Sequence, residues 1–320
     1  MNPPKPFAFS PENPAKIGTR GSDLALAQAH EVRDLLLRAH NLPETAIVIQ
    51  VIKTTGDMVL DRPLSEIGGK GLFTKEIEQA LLSAEIDLAV HSSKDMPTVL
   101  PEGLVLDVFL PREDTRDAFI CKTAPALSAL PEGAIIGSAS LRRQAQLKRY
   151  RADYNVIIFR GNVQTRLRKL GEGQADATLL AAAGLSRLGM GEIVTEYLDT
   201  DAFLPACAQG AIGIETRVDD AESRAFVAPL HHAETAAAVA LERAFLKVLD
   251  GSCRTPIAGM ATVEGNRLSF RGEVLRPDGS ESFDITGDGA IGDAALIGEE
   301  AGMRLKARLS SDFVASLYPR

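Results

Sequence analysis

Apolar residues recur at helical spacing along two early segments of the chain, and short apolar runs separate these segments. Residues 24–40 and 73–85 carry apolar side chains every three to four positions, which predicts amphipathic helices, and Ser22 is placed to cap the first of them. The runs 47–53 and 86–91 are typical of strands, and the second is apolar enough to be buried. This alternation of strand and helix predicts βαβ units and a mostly parallel sheet.

The same alternation returns in the middle of the chain. Helices are predicted at 141–151 and 163–173, and strands are predicted at 155–160 and 177–182. The repetition of the pattern indicates a second α/β lobe. We expect a ligand to bind in the cleft between two such lobes.

Beyond about residue 232 the pattern changes. An alanine-rich amphipathic helix at 235–250 is followed by alternating strands and a final helix, which indicates a separate small α+β unit. The predicted division is a disordered tail at 1–15, a first lobe at 16–110 and 211–229 that includes a glycine-containing loop at 54–71, a second lobe at 115–205, and a third domain at 232–320.

Charge is distributed unevenly along the 320 residues. The net charge is −8, but residues 138–187 carry eight Arg and two Lys against three acids, a local charge of +7 that leaves −15 for the rest. A basic segment inside an acidic protein favours a focused anion site over a nucleic-acid surface. A solvated, charged helix face is the alternative interpretation.

Composition excludes several classes of protein. Aromatic residues are only 5% of the chain, which argues against base-stacking platforms, and no apolar run is long enough for a membrane span. The Pro-rich first 15 residues have no apolar core of a signal peptide. The three cysteines show no CxxC spacing and the histidines no ligand spacing, so we expect no disulfide framework, no metal and a cytoplasmic location.

The motif HSSKDMP at 91–97 directly follows a buried strand, where open α/β sheets bind ligands. Pro97 biases the residue before it toward extended backbone and so presents Asp95 on a fixed turn. Beside Lys94, this carboxyl could hold or transfer a proton on a substrate amine. An ordinary Lys–Asp pair on a surface loop is the alternative. His91 is expected to pack or to orient the turn.

Two further segments share one design, a strand end followed by a helix whose first turn carries arginine. Free backbone N–H groups at such helix starts bind anions, and arginine adds bidentate contacts to carboxylates. Two such segments close together indicate a polyanionic ligand, with ordinary exposed arginines as the alternative. The segments are GSASLRRQ (137–144) and FRGNVQTRL (159–167), and their arginines are Arg142, Arg143, Arg160 and Arg166.

The sequence LDGSCRTPIAG (249–259) places Cys253 on a polar turn that no apolar core explains. The adjacent Arg254 would favour the thiolate and hence nucleophilicity. An incidental thiol is the alternative.

Eight segments, in order from about residue 16 to the C terminus, resemble the successive motifs of the porphobilinogen deaminase (hydroxymethylbilane synthase) family. They are TRGSDLALAQA (19–29), GGKGLFTKE (68–76), HSSKDMP (91–97), GSASLRRQAQL (137–147), RGNVQTRL (160–167), AGLSRLG (183–189), PACAQGAIGIE (205–215) and LERAFLKVLDGSCRTPIA (241–258).

The resemblance implies an α/β fold with two lobes like those of type II periplasmic binding proteins, plus a small third α+β domain that carries the cofactor cysteine. It also implies a transferase with a dipyrromethane cofactor bound through a thioether to Cys253. Four porphobilinogens would add in sequence, each losing ammonia, and water would release the linear tetrapyrrole. The implied partners are porphobilinogen and the growing polypyrrole chain, without nucleic acid or membrane. The implied enzyme is a monomer that acts in haem biosynthesis.

The resemblance assigns roles residue by residue. Asp95 matches the catalytic aspartate, which would protonate the departing amine, stabilise cationic stages and help to remove the ring proton. Cofactor contacts are implied at Lys94, Ser138, Ser140, Arg142 and Arg143. Substrate contacts are implied at Arg20, Ser22, Arg160, Arg166, Arg187 and Gln209, and the active-site loop would include Lys70 and Phe73.

The sequence departs mildly from the family pattern. Asp23 stands where many members have Pro, Gln164 and Ala208 stand where Gly is common, and Ser138 replaces a common Thr. Asp23 could weaken a carboxylate contact, because it adds an acid near Arg20.

Two other functions explain part of the pattern. A non-catalytic, two-lobed anion-binding protein would account for the lobes and arginines, but not for Cys253, the acid of HSSKDMP or the third domain. A cysteine hydrolase would need a histidine partner for the thiol, and no candidate is evident. Only a deaminase would carry covalently bound pyrrole, so its detection would distinguish the deaminase from these two alternatives.

Overall fold

The computed structural model describes residues 9–58, 71–251 and 255–317. The N-terminal part contains β1 (Ala15–Thr19), α1 (Asp23–His40), β2 (Ile47–Val51), α2 (Thr55–Met58), α3 (Lys75–Leu82), β3 (Leu88–Ser92) and β4 (Leu104–Phe109). The middle part contains β5 (Asp117–Cys121), β6 (Ile135–Gly137), α4 (Leu141–Tyr150), β7 (Asn155–Ile157), α5 (Val163–Gly171), β8 (Ala177–Ala181), α6 (Ala182–Arg187) and β9 (Glu196–Tyr197). The C-terminal part contains β10 (Ile212–Arg217), α7 (Ala221–Val227), α8 (Ala233–Val248), β11 (Ile257–Glu264), β12 (Arg267–Leu275), β13 (Ser282–Ala290), α9 (Ala294–Lys306) and α10 (Ser311–Leu317).

The first sheet has the strand order β2-β1-β3-β10-β4. Strands β1, β2 and β3 are parallel, as the βαβ pattern predicts, whereas β10 runs antiparallel to both β3 and β4. Four of the five strands therefore run in one direction, as the prediction of a mostly parallel sheet requires, and β10 is the exception. β10 follows β4 after about a hundred residues, and a strand that returns over such a long connection is not constrained by a βαβ crossover.

The second sheet repeats this plan with the order β7-β6-β8-β5-β9. Its parallel strands are β6, β7 and β8, and β5 pairs antiparallel with β8 and β9. Two mixed sheets with helices in the crossovers form two α/β lobes. The α/β class with two such lobes and a small third domain is confirmed.

The third sheet is an antiparallel meander, β11-β12-β13, with α9 packed on it. Its apolar face and α8 enclose a core around Phe245 and Phe270, whose rings lie 4.9 Å apart. Cys207, from the end of the second lobe, packs into this same core. An added Cβ at Gly259 would lie 2.8 Å from the Cys207 sulfur, so only a glycine leaves room for it.

The chain divides into two compact units. Within the described residues, one unit contains 9–58, 71–111 and 211–236, and the other contains 112–210 and the residues from 237 onward. The second lobe and the third domain therefore belong to one unit, and their separation at residues 205 and 232 stays a prediction.

The structure differs from the predicted tail at residues 9–15. Phe9 is buried in the core of the first unit, 4.8 Å from the ring of Phe226, and Ala15 begins β1. One aromatic residue in a Pro-rich context is enough to anchor this segment. The rest of the predicted tail lies outside the described residues. Across the described ranges, every helix is too short or too polar to cross a membrane.

Candidate functional site

Asp95 lies on a short 3-10 turn, Ser93–Asp95, that directly continues β3. The turn is anchored at its start, because Ser93 N donates to Ala211 O at 3.0 Å and the Ser93 side chain is buried. The absence of a side chain at Gly213 makes this possible, since an added Cβ would lie 2.9 Å from Ser93 Oγ. Lys94 is half-buried and Asp95 is exposed at the end of the turn.

A small pocket of about 60 Å³ adjoins Asp95. It brings together four residues that the sequence predicts for the site, which come from three separate segments of the first unit: Arg20, Ser22, Phe73 and Asp95. The remaining lining residues are Leu24, Ala25, Gln28, Thr74, Val90, His91, Ser92 and Met96.

Phe73 forms one wall of the pocket and contacts Arg20. The guanidinium carbon of Arg20 lies 4.2 Å from the centroid of the Phe73 ring, a cation–π geometry. The ring packs so closely on Gly56 that an added Cβ there would lie 2.4 Å from two of its carbons. Glu76, on α3, also binds the start of α2. Its Oε1 accepts hydrogen bonds from both the backbone N–H and the hydroxyl of Thr55.

The first residues of α1 are ordered by the predicted cap. Ser22 Oγ accepts a hydrogen bond from Ala25 N at 3.3 Å, which satisfies one of the free donors of the helix start. Asp23 is the first residue of the helix and is exposed, where a negative charge interacts favourably with the helix dipole.

In the second unit, the predicted residues of GSASLRRQ surround the start of α4. Ser140 caps the helix by accepting from Arg143 N, and the buried Ser138 accepts a hydrogen bond from Ser140 N at 3.3 Å. The hydroxyl of Ser138, which the family more often supplies from Thr, therefore shapes the turn before the helix.

Arg142 and Arg143 are buried, each only 4% exposed, and both reach the carboxylate of Asp117. Arg142 Nη1 lies 2.8 Å from Asp117 Oδ2, and Arg143 Nη2 lies 2.7 Å from Oδ1. Gln209 Nε2 also donates to Asp117 Oδ1, at 2.8 Å. Burial opposes ionisation of Asp117, but the two arginines outweigh it and hold its pKa well below the usual range.

The other predicted arginines lie near the starts and ends of neighbouring helices. Arg160 precedes α5, and Arg166 lies in its first turn with Nε donating to Gly161 O at 3.0 Å. Arg187 ends α6 and donates to Gly210 O at 3.1 Å. Asn162 caps α5.

The donor set of the second unit suits a ligand that carries carboxylates. Arg142 and Arg143 each keep a buried Nε–H that has no hydrogen-bond acceptor among the described residues. Carboxylate oxygens would satisfy these donors. The residues present therefore fit a dipyrromethane group with its acidic side chains.

Cys253 and Lys70 lie outside the described residues. Of the other two thiols, Cys121 and Cys207 are both buried, and burial raises the pKa of Cys207. A buried thiol with a raised pKa is a poor nucleophile, so Cys207 does not compete for the role assigned to Cys253. No group of three or more His, Cys, Asp or Glu side chains in the described ranges could hold a metal, and the absence of a metal stays a prediction.

Sequence reasoning missed several buried polar residues around the site. The sequence around Asp117 does not indicate its role, because its hydrogen-bond partners lie 25, 26 and 92 positions away in the chain. Gln28 and Ser92 exchange two hydrogen bonds, at 2.9 and 3.1 Å. His91 Nε2 lies 3.0 Å from Glu215 Oε2, and both side chains are buried. An apolar pattern can reveal the strands but not these pairs.

Comparison with known proteins identifies the family. Residues 15–225 match the porphobilinogen deaminase dipyrromethane cofactor binding domain, and residues 236–307 match the porphobilinogen deaminase C-terminal domain. The chain belongs to the porphobilinogen deaminase family. It is 58% identical over 303 residues to the porphobilinogen deaminase of Paracoccus denitrificans, covering 95% of this chain and 97% of that one. It is 57% identical over 299 residues to that of Nitrobacter hamburgensis, covering 93% and 95%.

Among solved structures, the chain is similar to a periplasmic substrate-binding protein of an ABC transporter from Coxiella burnetii, with 14% identity, a TM-score of 0.42, and 72% and 96% of the two chains covered. It is also similar to the periplasmic aliphatic sulphonate binding protein from Escherichia coli, with 16% identity, a TM-score of 0.39, and 73% and 69% covered.

The structure shows the backbone conformation or the position of two residues that depart from the porphobilinogen deaminase pattern. Ala208 has a φ of 60°, the left-handed region that favours glycine, which explains why glycine is frequent there. Gln164 lies in the first turn of α5, a half-buried position that any helix former can occupy.

Proposed function

We propose that this member of the porphobilinogen deaminase family condenses four porphobilinogens head to tail, with loss of ammonia at each addition, and releases linear hydroxymethylbilane by hydrolysis. The observation that carries the proposal is the position of Asp95. An anchored turn holds its carboxyl at a pocket that also contains Arg20, Ser22 and Phe73.

Asp95 acts on protons in this proposal. Its carboxyl gives a proton to the amine nitrogen of porphobilinogen, so that the nitrogen leaves as ammonia, and the resulting carboxylate stabilises the positive charge that develops. After the new carbon–carbon bond forms, the carboxylate accepts the proton lost from the pyrrole carbon, which restores the acid. Lys94, next to it, contributes a hydrogen bond to the cofactor.

The arginines bind the acetate and propionate groups. Arg142 and Arg143, through their buried Nε–H donors, bind cofactor carboxylates together with Ser138 and Ser140. The substrate contacts are Arg20, Ser22, Arg160, Arg166 and Arg187, and the active-site loop contributes Lys70 and Phe73. Since Gln209 is buried on Asp117, it acts by holding the arginine network in place.

The dipyrromethane group, when bound to Cys253 as a thioether, supplies the free pyrrole carbon to which the first unit is added. The proposal includes a monomeric, cytoplasmic enzyme that acts on porphobilinogen and the polypyrrole chain and binds neither nucleic acid nor membrane.

The test is turnover of porphobilinogen with Asp95→Asn beside the wild-type protein. We expect the wild type to release one ammonia per porphobilinogen and to form hydroxymethylbilane. The variant should keep the fold and lose a factor of about 10²–10⁴ in turnover, as is usual for loss of a general acid–base. Asp107→Asn, which removes an exposed carboxylate paired with Arg224, is the control. Absence of bilane with the wild type, or near-normal turnover by Asp95→Asn, would contradict the proposal.

A further inference from the structure

Gln146 lies in the interior of the second unit, on α4, one helical turn after Arg142. The side chain is fully buried, and its Oε1 accepts a hydrogen bond from Arg142 Nη1 at 2.9 Å. Its Nε2 donates to Leu204 O at 2.8 Å and to Glu273 Oε1 at 2.6 Å. Both ends of the amide are therefore bonded within the fold.

Glu273 determines which way the amide of Gln146 points. A carboxylate and a peptide carbonyl only accept hydrogen bonds, whereas a guanidinium only donates them. The amide nitrogen must therefore face Glu273 and Leu204, and the amide oxygen must face Arg142. The reversed amide would place its nitrogen against Arg142 Nη1, donor against donor, and its oxygen against two acceptors.

Glu273 belongs to the third domain and is itself held in place. It lies on β12, is buried, and accepts a hydrogen bond at Oε2 from Arg149 Nη1 at 2.6 Å. The turn between β12 and β13 packs on the same helix as Arg149. An added Cβ at Gly279 in this turn would lie 2.5 Å from Arg149 N and 2.7 Å from Ala145 O, so that only glycine allows the approach. β12 is therefore held close to α4.

The guanidinium of Arg142 is oriented by the acceptors around its two Nη atoms. Nη1 donates to Asp117, Gln146 and Leu204, and Nη2 donates to Asp117 at 3.3 Å. Because the guanidinium is planar, these bonds also fix the direction of its Nε–H. That Nε–H is buried and has no acceptor in the part of the chain that the structure describes. The acceptor that Gln146 supplies therefore helps to aim a donor that is left for a ligand.

We propose that Glu273 is a positioning residue, which acts through Gln146 to hold Arg142 in the orientation that lets its Nε–H meet a carboxylate of the dipyrromethane group. The inference rests on the proposed function and adds to it a residue of the third domain that does not touch the cofactor. No bond forms or breaks along this path. Glu273 acts because both of its oxygens accept hydrogen bonds, one from Arg149 and one from Gln146.

The experiment compares the rates at which cofactor-free, full-length chains gain the mass of two linked pyrroles during incubation with porphobilinogen. In Glu273→Gln, Arg149 takes the new carbonyl oxygen, so the new NH2 group faces Gln146 Nε2 and one donor in the chain of bonds loses its acceptor. Loss of a hydrogen bond to the charged Arg142 should slow this loading by a factor of about 10.

Arg149→Lys is the matched control for Glu273→Gln. It disturbs the same contact between α4 and β12 but keeps the carboxylate that orients Gln146, so loading should stay near the wild-type rate.

Gln146→Met tests the same path without changing Glu273. It removes an acceptor of Arg142 and leaves the ion pair of Glu273 with Arg149, so it should slow loading by a similar factor. A wild-type rate in either Glu273→Gln or Gln146→Met would overturn the proposal. In that case the wild type still gains pyrrole and the proposed function stands, whereas a wild type that gains no pyrrole contradicts both.

The double variant Glu273→Gln, Arg149→Met separates positioning from stability. Without Arg149, the new amide at position 273 can turn its carbonyl oxygen to Gln146 Nε2, which restores the orientation of Gln146. Loading should therefore recover, even though Arg149→Met removes the hydrogen bonds to Glu273 and Ala202 and should lower the thermal midpoint. Loading by the double variant that is slower than that of Glu273→Gln would show that Glu273 only stabilises the fold, and would overturn the proposal.

Discussion

Arg112 and Glu242 form a bidentate ion pair, with Nη1–Oε1 at 2.7 Å and Nη2–Oε2 at 2.9 Å. Glu242, on α8, is fully buried, and its two oxygens also accept hydrogen bonds from the backbone of Ala208 and Ala261. Arg112 Nε donates to Gln209 O at 2.9 Å. Among the described residues, the chain passes from one unit to the other at 111–112, 210–211 and 236–237, and this one carboxylate is bonded to residues beside the first two of these connections.

Glu242→Gln should therefore destabilise the second unit. The substitution removes the anion of a bidentate pair whose carboxylate is fully buried, and breaking such a pair costs about 3–5 kcal/mol. The measurement is the midpoint of thermal unfolding, which should fall by several degrees. Glu281→Gln, in an exposed pair with Arg276, is the control and should change stability by less than about 1 kcal/mol. Equal midpoints for the two variants would contradict this role of Glu242.

Asp117 should make the protein sensitive to acid. Because its pKa in the folded state lies below the unfolded value, its contribution is present above about pH 4 and is lost as the pH falls further. The free energy of unfolding should therefore drop by up to about 1.4 kcal/mol per pH unit in this range from this one group. Asp117→Asn should lower stability at pH 7 and remove that part of the pH dependence. Asp288→Asn, in an exposed pair with Arg267, should do neither, and an unchanged acid profile in Asp117→Asn would reject the explanation.

Glu78 should have the opposite effect. Burial and the nearby Glu215 raise the pKa of its carboxyl in the folded state, so it favours folding most below its unfolded pKa of about 4.3 and less as the pH rises through the folded value. Glu78→Gln should therefore raise the free energy of unfolding at pH 8 and leave it nearly unchanged at pH 4. Chemical denaturation at the two pH values tests this, with Glu102→Gln on an exposed loop as the control. A loss of stability at pH 8 would show that the charged form is needed.

Gly56→Ala should disturb the Arg20–Phe73 contact without removing either residue. The new methyl would lie 2.4 Å from the Phe73 ring and 2.8 Å from Leu72 O, so the ring must move. Displacements of about 1 Å near reacting groups cost up to about a hundredfold in rate, and we expect kcat/KM to fall by at least about tenfold. Gly171→Ala, at a position where an added Cβ meets nothing within 4 Å, is the control. Normal kcat/KM in Gly56→Ala would show that the position of Phe73 does not limit turnover.

Local patterns in the sequence predict most of the lobes. The cap at Ser22 and the helices near 24–40, 141–151 and 163–173 follow from spacing within a few residues, and the structure confirms them within a few positions at each end. The insertion of β10 between β3 and β4 depends on contacts a hundred residues apart, which no local pattern encodes.

The site residues, too, could be predicted only where a local pattern marks them. Asp95 could be proposed because the residue follows a buried strand and precedes a proline. Asp117 could not, since a single acid at the start of a strand gives no sign that Arg142 and Arg143 will reach it. The sequence alone also suggests accessible arginines at both positions, whereas the fold buries them on Asp117 and leaves their Nε–H groups without an acceptor among the described residues.

The most direct test of the central claim is the intact mass of the purified protein, followed by mapping of the modified peptide. We expect a mass above that of the chain by two linked pyrrole units, located on the peptide that contains Cys253, or acquired there when a cofactor-free preparation is incubated with porphobilinogen. A chain that keeps its own mass after that incubation would contradict the assignment.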